Sequence, residues 1–253
     1  MRRTPEQMPE GDTIWRSASA LRQALAGRRV VAARPAALGR LGGQLLVGVR
    51  AHGKHLYMEF EKGLVLHTHM RMTGAWHIYG RGQTWRRQAH RATAVLDFGD
   101  TLAVLFAAPL CELTVAAAVA QGLGPDILGE GFDVAEVVAL ARRSSSATVA
   151  EVLLDQSVCA GIGNIYRCNT LWHERVDPFT PIGDVDDATI GRLFSRARGL
   201  LRRGAVSDGF RPRAGVHGRC GRPCTTCATL IRMRPLGRPS RIVYWCPACQ
   251  ATG

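Results

Sequence analysis

The stretch PCTTCATLIRMRPLGRPSRIVYWCPACQ, residues 223–250, decides the fold of the C-terminus. Cys224 and Cys227 form one Cys-x2-Cys pair, Cys246 and Cys249 form a second, and 18 residues separate the pairs. Two such pairs together provide four thiolates for one tetrahedral metal ion and leave no open coordination position. The spacing therefore predicts one structural Zn²⁺ on a β-hairpin, with a redox dithiol as the alternative.

The residues between and around the two cysteine pairs refine this prediction. Four arginines accompany the apolar run IVYW of the predicted hairpin, at positions 232, 234, 238 and 241. A module of this size is too small to fold by apolar burial alone, so it should unfold without its metal. Cys220 is either a substitute ligand or, as we favour, a spare buried thiol. The other three cysteines are expected to be small core residues: Cys111, Cys159 and Cys168.

Length and charge restrict the class of protein. The chain has 253 residues, which favours two modest domains, and 33 basic against 20 acidic residues give a net charge of +13. Such an excess predicts a polyanionic partner, most simply a nucleic acid, although a solvated basic surface is the alternative. The chain shows neither a secretion signal nor an apolar run long enough to cross a bilayer. We therefore expect a soluble protein in a reducing cytoplasm.

Hydrophobic periodicity predicts a β-rich first half that starts with a helix. Ile14, Ala18, Leu21 and Leu25 recur at helical spacing and stop before Gly27. From Val30 to about Phe106, short alternating runs separated by turn residues predict the strands of a sandwich or barrel. His67 and His69 alternate along one of these strands and are expected to be structural.

The second half is predicted to be helical. Residues 121–132 contain four glycines and a proline and form the predicted linker. Four helices should follow, the second with Thr148 and Glu151 as a capping box and the last with a polar, arginine-rich face: Val134–Arg143, Thr148–Val158, one from near Asn164, and Asp187–Arg203 closed by Gly204. Gly161 and Gly163 precede the third helix, whose first amide groups, with Asn164, could bind phosphate.

Met8 and Pro9, in QMPEGDT at residues 7–13, suggest a reactive amine. Met-Pro at the start of a chain is trimmed to leave a proline with a free secondary amine, which can act as a nucleophile. If residues 1–7 stay attached, however, the nitrogen of Pro9 is a tertiary amide and cannot attack. We therefore expect Met8 to be the true start, or processing to expose Pro9.

Together these motifs resemble one family. MPEGD at 8–12, GKHL at 53–56, LLDQ at 153–156 with AGIGNIY at 160–166, and the two cysteine pairs occur in the order found in formamidopyrimidine-DNA glycosylases and endonuclease VIII. The residues PEG after Met8 are more similar to the endonuclease VIII-like branch. The resemblance implies an α+β fold of two domains, in which a β-sandwich with a leading helix precedes a helix-two-turn-helix domain that carries a β-hairpin zinc finger.

The implied division of the chain and the implied activity follow from the same resemblance. The expected segments are an N-terminal extension, a catalytic sandwich, a linker, a DNA-binding helical domain and a zinc finger: 1–8, 9–120, 121–132, 133–215 and 216–253. Damaged DNA lies in the cleft between the two domains of such enzymes. They flip a damaged base out of the duplex, cut its glycosidic bond and nick the strand.

The resemblance assigns the catalytic roles to three residues. Pro9 attacks C1′ of the damaged nucleotide to form a Schiff base, Glu10 acts as general acid and base, and Lys54 holds a phosphate or assists ring opening. Each has a simpler alternative, since Glu10 could be an ordinary acid in the first turn of a helix and Lys54 a solvated turn charge. Elimination at the β and then the δ position is expected to follow.

The resemblance also assigns four DNA-binding residues. Asn164 and Arg241 match residues that grip the phosphates beside the lesion, and Met72, with Arg71 next to it, matches an apolar wedge that fills the space left by the flipped base. The alternatives are a helix cap for Asn164, a surface arginine for Arg241 and a core methionine at a strand end for Met72.

Two departures from the family pattern bear on the substrate. The connector from Gly204 to Cys224 is too short for the extended loop that covers 8-oxoguanine, so oxidised pyrimidines are the preferred substrates. LFAAPLCELT at 105–114 lacks the Arg-x-Phe pair placed against the orphaned base, so discrimination by the opposite base should be loose, and single-stranded or bubble DNA should be tolerated.

Three classes of function remain distinct at this point. The leading hypothesis is a DNA glycosylase and abasic-site lyase of base excision repair. The second is a zinc-dependent binder of damaged or abasic DNA that cannot cut because Pro9 is blocked, and the third is an RNA- or ribosome-associated protein. For all three we expect a monomer, and for the first a bacterial cytoplasmic location at the nucleoid.

Overall fold

The computed structural model describes residues 9–115, 121–144, 147–206 and 215–251. The chain divides into two compact units, Met1–Gln121 and Gly122–Gly253. Within the described ranges, no helix combines the length and the apolar character needed to cross a membrane. The predicted extension 1–8 and residues 207–214 of the short connector lie outside the described residues.

The first unit begins with helix α1, Gly11–Leu25. Its apolar residues fall on one side because they are spaced three or four apart, and Ile14, Ala18, Leu21 and Leu25 are all buried. The backbone of Glu10 is extended at the N-cap position, and its carbonyl accepts hydrogen bonds from the N–H groups of Thr13 and Ile14. The predicted leading helix is confirmed.

Eight strands form two antiparallel four-stranded sheets. They are β1 Ala32–Arg34, β2 Leu46–His52, β3 His55–Phe60, β4 Leu64–His69, β5 Ala75–Gly80, β6 Ala92–Asp97, β7 Thr101–Phe106 and β8 Leu110–Val115. The orders are β1-β6-β7-β5 and β2-β3-β4-β8. One buried core contains side chains from both sheets and from α1, which is the arrangement of a β-sandwich.

The strands continue further than the sequence pattern predicts. The alternating pattern ends near Phe106, but β8 follows and pairs with β4 along its whole length. Cys111 and Leu113 pack against the core of this unit, and Glu112 between them lies opposite His67 across the pair. Both the pairing with β4 and these two side chains therefore hold this edge strand in place.

The described part of the second unit contains four α-helices and a β-hairpin. They are α2 Val134–Arg142, α3 Val149–Val152, α4 Asn164–His173, α5 Asp187–Val206, β9 Arg232–Leu236 and β10 Arg241–Trp245. Thr148 and Glu151 make both hydrogen bonds of a capping box, as predicted. The apolar residues of α5, such as Leu193 and Leu201, lie in the core of this unit.

Two predicted helix ends are wrong. Helix α3 stops at Val152 and not at Val158, because the Asp155 side chain accepts hydrogen bonds from the backbone N–H and hydroxyl of Ser157 and so stabilises a turn instead of a helix. Helix α5 continues through Gly204 to Val206. Gly204 is buried, so the glycine serves close packing inside the helix rather than its termination.

The polar, arginine-rich face predicted for α5 is partly paired. Arg192 and Arg196, which the sequence pattern would leave largely free, have their Nε atoms 3.7 and 2.7 Å from carboxylate oxygens of Glu174. The predicted linker is hydrogen-bonded within the second unit: Gly124 N–H donates to the Gln156 carbonyl at 2.9 Å, and Ile127 is buried in the core. The predicted domain boundaries stay a prediction.

Candidate active site and nucleic-acid interface

The start of α1 carries two of the predicted catalytic residues. Pro9 is half-buried and Glu10 is only 3% exposed. The Glu10 side chain makes no capping hydrogen bond to the helix, although its position at the N-cap would suit that role. A buried carboxylate that does not cap its helix differs from the ordinary first-turn acid that was the alternative.

Lys54 lies on the two-residue turn between β2 and β3. Gly53 precedes it at φ +57°, a left-handed backbone that glycine adopts without strain. Lys54 is half-buried, whereas a purely solvated turn charge would be exposed. Helix α1 packs against β2 and β3, so the same sheet that bears Lys54 also supports the helix that follows Pro9 and Glu10.

The predicted wedge residues lie on a turn between β4 and β5. Met72 is 50% exposed, which excludes the alternative of a core methionine, while Met70 two residues earlier is buried. Arg71 is exposed as well. The turn therefore presents one large apolar side chain and one cation to the surroundings, as a residue inserted between bases requires.

A histidine network lies on the neighbouring strands and was not predicted. His67 Nδ1 lies 3.0 Å from Glu112 Oε1, and His67 Nε2 lies 2.8 Å from His55 Nδ1. An ionised carboxylate only accepts, so His67 donates from Nδ1 and, in its neutral form, accepts the Nδ1 proton of His55 at Nε2. Desolvation, followed by the nearby His69 and His67, lowers the pKa of His55 to about 3.

The structure brings Asn164 and the region of Arg241 together. Asn164 is the first residue of α4 and follows Gly161, whose φ of +113° is accessible to glycine. Its Nδ2 atom donates to the carbonyl of Ile242 at 2.9 Å. Because Ile242 follows Arg241 on β10, the two predicted phosphate-binding residues lie on adjoining elements of one unit. Arg241 is exposed at the start of that strand.

Arg167 is a buried member of this group that sequence reasoning missed. It is 1% exposed, and its Nη2 atom donates to Asn164 Oδ1 at 2.5 Å and to the Ile242 carbonyl at 3.1 Å. The contact with Oδ1 fixes the amide of Asn164, so that Nδ2 points away from Arg167. The spacing of three residues along α4 was the available signal, since it places the two side chains on one face.

His217 completes the surroundings of Asn164. Its Nε2 atom lies 3.4 Å from Asn164 Nδ2, and its ring packs edge-on against Tyr244. Desolvation, together with the positive charge of Arg167, lowers the pKa of His217 to about 4. The ring is therefore neutral near pH 7, and it can accept a hydrogen bond from the amide.

The four predicted metal ligands converge on one point. The sulfur atoms of Cys224, Cys227, Cys246 and Cys249 all lie within 4.8 Å of one another. Three of the separations are 3.4, 3.4 and 3.8 Å. A tetrahedral site with metal–sulfur bonds of about 2.3 Å requires sulfur atoms about 3.8 Å apart, so the cluster fits a metal ion of this size.

The surroundings of the sulfur atoms suit thiolates. The backbone N–H groups of Thr226 and Cys249 donate to the sulfur atoms of Cys224 and Cys246, each at 3.4 Å. Desolvation opposes ionisation of Cys224, but hydrogen bonds from the backbone lower its pKa to about 6. Desolvation and the neighbouring thiols raise the pKa of Cys249 instead. The four thiols cannot all ionise unless a cation balances their negative charges. The four sulfur atoms are a donor set that could bind such a cation.

The remaining cysteines are partly as predicted. Cys159 and Cys168 are buried, and Cys111 packs against the core of the first unit. Cys220 is exposed, so the prediction of a spare buried thiol is wrong for it. It precedes the turn that leads to Cys224 and lies outside the cluster of four sulfur atoms, which already supplies a full tetrahedral set.

The two units match two domains of one class of DNA-repair protein. Residues 8–109 match the formamidopyrimidine-DNA glycosylase N-terminal domain, and residues 123–211 match the formamidopyrimidine-DNA glycosylase H2TH domain. Several solved structures share the fold. One is a Lactococcus lactis formamidopyrimidine-DNA glycosylase bound non-covalently to DNA that contains an abasic site. It has a TM-score of 0.84 at 20% identity and covers 96% of this chain and 100% of its own.

Curated relatives establish the family. The chain is 36% identical to "Probable endonuclease 8 2" of Streptomyces coelicolor, over 96% of this chain and 94% of the relative. It is also 36% identical to "DNA-(apurinic or apyrimidinic site) lyase Nei2" of Mycolicibacterium smegmatis, over 96% and 99%. A formamidopyrimidine-DNA glycosylase of Acidothermus cellulolyticus is 31% identical over 96% of both chains. The chain belongs to the formamidopyrimidine-DNA glycosylase and endonuclease 8 family.

This membership confirms the predicted family and fold class. It also confirms the predicted class of enzyme, a DNA glycosylase with DNA-(apurinic or apyrimidinic site) lyase activity. The roles of individual residues stay predictions, and so does the substrate.

Proposed function

We propose that the protein is a bifunctional DNA glycosylase and abasic-site lyase of base excision repair, which binds damaged DNA and prefers oxidised pyrimidines. The observation that carries the proposal is the pair Pro9 and Glu10 at the start of α1. A potential amine nucleophile stands beside a carboxylate that is 3% exposed and does not cap the helix. A carboxyl group held at this position could transfer a proton to or from a reacting group, as a general acid and base does.

The reaction requires a free amine at Pro9. The nitrogen attacks C1′ of the damaged nucleotide, the bond from C1′ to the base breaks, and the base leaves with a proton. Glu10 protonates the sugar ring oxygen as the ring opens, which gives an iminium ion between Pro9 and C1′. An α-amino group with a pKa of about 7.7 to 8.0 is partly neutral near pH 7, so a useful fraction is nucleophilic.

The iminium ion makes the protons on C2′ acidic. Loss of one of them breaks the C3′–oxygen bond and releases the 3′ phosphate, which is β-elimination. A second proton loss then breaks the C5′–oxygen bond in δ-elimination, and hydrolysis restores the amine of Pro9. Glu10 moves protons in these steps, and Lys54 holds a phosphate as a point charge.

Eight residues precede Pro9 in the sequence, and their removal is part of the proposal. As long as they are attached, the nitrogen of Pro9 is an amide without a nucleophilic lone pair. The match to the N-terminal domain of the family begins at residue 8. A start at Met8, followed by removal of the methionine, would expose Pro9 as the N-terminal residue.

We assign DNA binding to four residues. Asn164 and Arg241, which adjoin in the second unit, bind phosphates beside the lesion. Met72 fills the gap left by the flipped base, and Arg71 contacts the DNA next to it. The net charge of +13 supports binding to a polyanion and makes the affinity depend strongly on salt.

The four cysteines of the C-terminal cluster hold one Zn²⁺ in this proposal. The ion supplies structural support only, because four thiolates fill its coordination sphere. Gln250 links the cluster to the helices: its Oε1 accepts from the N–H of Cys246 at 2.9 Å, and its Nε2 donates to the carbonyl of Val176 at 2.9 Å. The hairpin thereby keeps the carbonyl of Ile242 in contact with Asn164, with Arg241 one residue away along β10.

The structure near β7 and β8 supports loose discrimination by the opposite base. Only Ala107, Ala108 and Pro109 connect these strands, so the connection offers neither a guanidinium nor an aromatic ring to the orphaned base. We further assign the protein to the bacterial cytoplasm at the nucleoid, acting as a monomer.

Glu10 provides the test of the proposed chemistry. In a chain that begins at Pro9, Glu10→Gln should reduce excision of an oxidised pyrimidine from duplex DNA by about 100-fold or more, as expected when a general acid is lost. Glu130→Gln, an exposed carboxylate of the second unit, is the matched control. Retained excision in Glu10→Gln, at equal binding of an abasic-site analogue, would contradict the assignment. Comparison with 8-oxoguanine substrates tests the pyrimidine preference.

A non-catalytic binder of damaged DNA is the second candidate. The observation that favours it is the presence of eight residues before Pro9. Such a protein would bind abasic DNA with the same salt dependence, but it would form no covalent intermediate with it.

A further inference from the structure

The turn that carries Met72 has an unusual backbone. Arg71 adopts φ +44°, a left-handed conformation that is uncommon for a residue other than glycine, and Gly74 N–H closes the turn on the Met70 carbonyl at 2.8 Å. A Cβ atom at position 74 would lie 2.6 Å from the Met70 carbonyl oxygen, so only glycine fits there. Backbone of this kind persists where surrounding contacts determine it.

Three contacts from three different elements hold this turn. His69, at the end of β4, accepts the N–H of Arg71 at its Nδ1 atom, at 3.0 Å. Arg87, on the connection between β5 and β6, donates from Nη1 to the carbonyl of Thr73 at 2.8 Å. The Thr73 hydroxyl donates to the carbonyl of Ala107, after β7, at 3.3 Å.

His69 is suited to its part in this arrangement. An imidazole nitrogen accepts an N–H only when it is unprotonated. Desolvation, together with the positive charges of Arg71 and Lys54, lowers the pKa of His69 to about 4. The ring is therefore neutral at the pH of the cell, and it accepts the Arg71 N–H throughout the physiological range.

We propose that Arg87 is a positioning residue for duplex DNA, which braces the turn 71–73 so that Met72 stands ready to enter the base stack. The inference rests on the proposed function, in which Met72 is the wedge. Half of the Met72 surface is exposed, and the hydrogen bonds of His69, Thr73 and Arg87 hold the backbone that presents it. The cost of ordering the wedge is then met during folding.

The rival role for Arg87 is direct contact with a DNA phosphate. Its position in RGQTWRRQAHR, residues 81–91, would suit either role by charge alone. Arg86 separates the two, because it carries the same charge one residue away, is exposed, and donates its backbone N–H to Tyr79 Oη at 3.1 Å rather than bracing the turn. Arg86→Ala is therefore the matched control for Arg87→Ala.

The test measures single-turnover excision from a duplex that contains an oxidised pyrimidine, using chains that begin at Pro9. Arg87→Ala should slow excision by about 10-fold, the equivalent of one charged hydrogen bond, and Met72→Ala by a similar factor. The double variant should be no slower than Met72→Ala alone, because Arg87 acts through the turn. Arg86→Ala should stay near the wild-type rate, and Arg87→Lys, which can still donate to one carbonyl, should recover part of the loss.

A second substrate separates loss of the brace from a general structural defect, because a general defect would lower the cleavage of this substrate as well. Cleavage of an abasic site in single-stranded DNA needs no wedge, so it should stay at the wild-type rate in the variants of Arg86 and Arg87. Three results would each overturn the proposal. The first is loss of this cleavage in Arg87→Ala, and the second is a wild-type excision rate in that variant. The third is an excision rate in the double variant that falls by the product of the two single effects, together with a reduced salt dependence of binding.

Local unstacking distinguishes failure of the brace from failure of the proposed function. The fluorescence of 2-aminopurine placed beside an abasic-site analogue in a duplex reports unstacking without any chemistry. If the wild-type protein excises no base, the proposed function fails. The brace is then still supported if Met72→Ala and Arg87→Ala reduce the fluorescence change equally, and it is refuted if only Met72→Ala does so.

Discussion

Removal of one cysteine ligand has consequences that can be worked out from the structure. Structural zinc sites contribute about 10 to 16 kcal/mol of apparent binding free energy, so each of four thiolates accounts for about 3 kcal/mol. We expect Cys246→Ala to weaken zinc binding by about 100-fold. Cys246 is fully buried and accepts the N–H of Cys249, which leaves little room for water to replace it as a ligand.

We expect the hairpin to be unfolded in the absence of the metal. Its fully shielded apolar side chains are few, and burial of Val243 and Ile231 contributes about 3 to 6 kcal/mol together. Ordering the ten residues of β9 and β10 costs about 10 to 20 kcal/mol of backbone entropy. Loss of zinc should therefore release Ile242 from Asn164 and remove Arg241 from the phosphate site.

The assay combines metal content with DNA affinity. Purified Cys246→Ala should carry less than one zinc ion per chain after dialysis and should bind an abasic-site duplex at least about 10-fold more weakly, the equivalent of one lost charged phosphate contact. Cys220→Ala is the matched control, because Cys220 is exposed and lies outside the cluster. A metal-free variant that keeps the wild-type affinity for the abasic-site duplex would refute the reasoning.

Three further predictions concern single residues or substrates. Arg167→Met should weaken binding to abasic-site DNA by about 10-fold without changing zinc content, because Asn164 loses the charged hydrogen bond that orients its amide. The control is Arg232→Met, which changes an exposed arginine. An unchanged DNA affinity of Arg167→Met would contradict the prediction. The folded state lowers the pKa of His55 from 6.5 to about 3, so the unfolded chain binds its proton more readily and stability should fall as the pH drops below 6.5. Melting temperatures between pH 7 and 5 should fall less in His55→Asn than in the wild type, and an equal fall would argue against a contribution from His55. Excision rates measured opposite each of the four normal bases should differ by less than about 10-fold. A base-specific contact is worth about 1 to 3 kcal/mol, and the connection at 107–109 offers no such contact. Rates that differ by several orders of magnitude would contradict this prediction.

Local sequence signals predicted those features that depend on neighbours along the chain. The convergence of the four cysteines Cys224, Cys227, Cys246 and Cys249, the helix that follows Glu10, and the capping box at Thr148 follow from spacing alone, and the structure contains each of them. The exposure of Met72 could not be predicted, because a methionine at a strand end can turn either inward or outward.

Sequence patterns could not predict the contacts between segments that are distant along the chain. The hydrogen bond from Asn164 to Ile242 joins residues 78 positions apart. The hydrogen bond from Arg87 to Thr73 joins the connection between β5 and β6 to the turn between β4 and β5. Burial of Arg167 runs against the usual exposure of arginine, so composition argues against it. The end of α3 was missed because the Asp155 side chain competes with the helix for backbone N–H groups.

The central claim is that the nitrogen of Pro9 forms a covalent intermediate with DNA. The most direct measurement is borohydride trapping on a duplex with one abasic site, with intact-mass analysis of the protein before and after the reaction. A chain that begins at Pro9 should gain the mass of the DNA at its N-terminal residue, whereas a chain that retains residues 1–8 should gain nothing. A trapped adduct on Lys54, or an adduct that forms equally with the longer chain, would contradict the account.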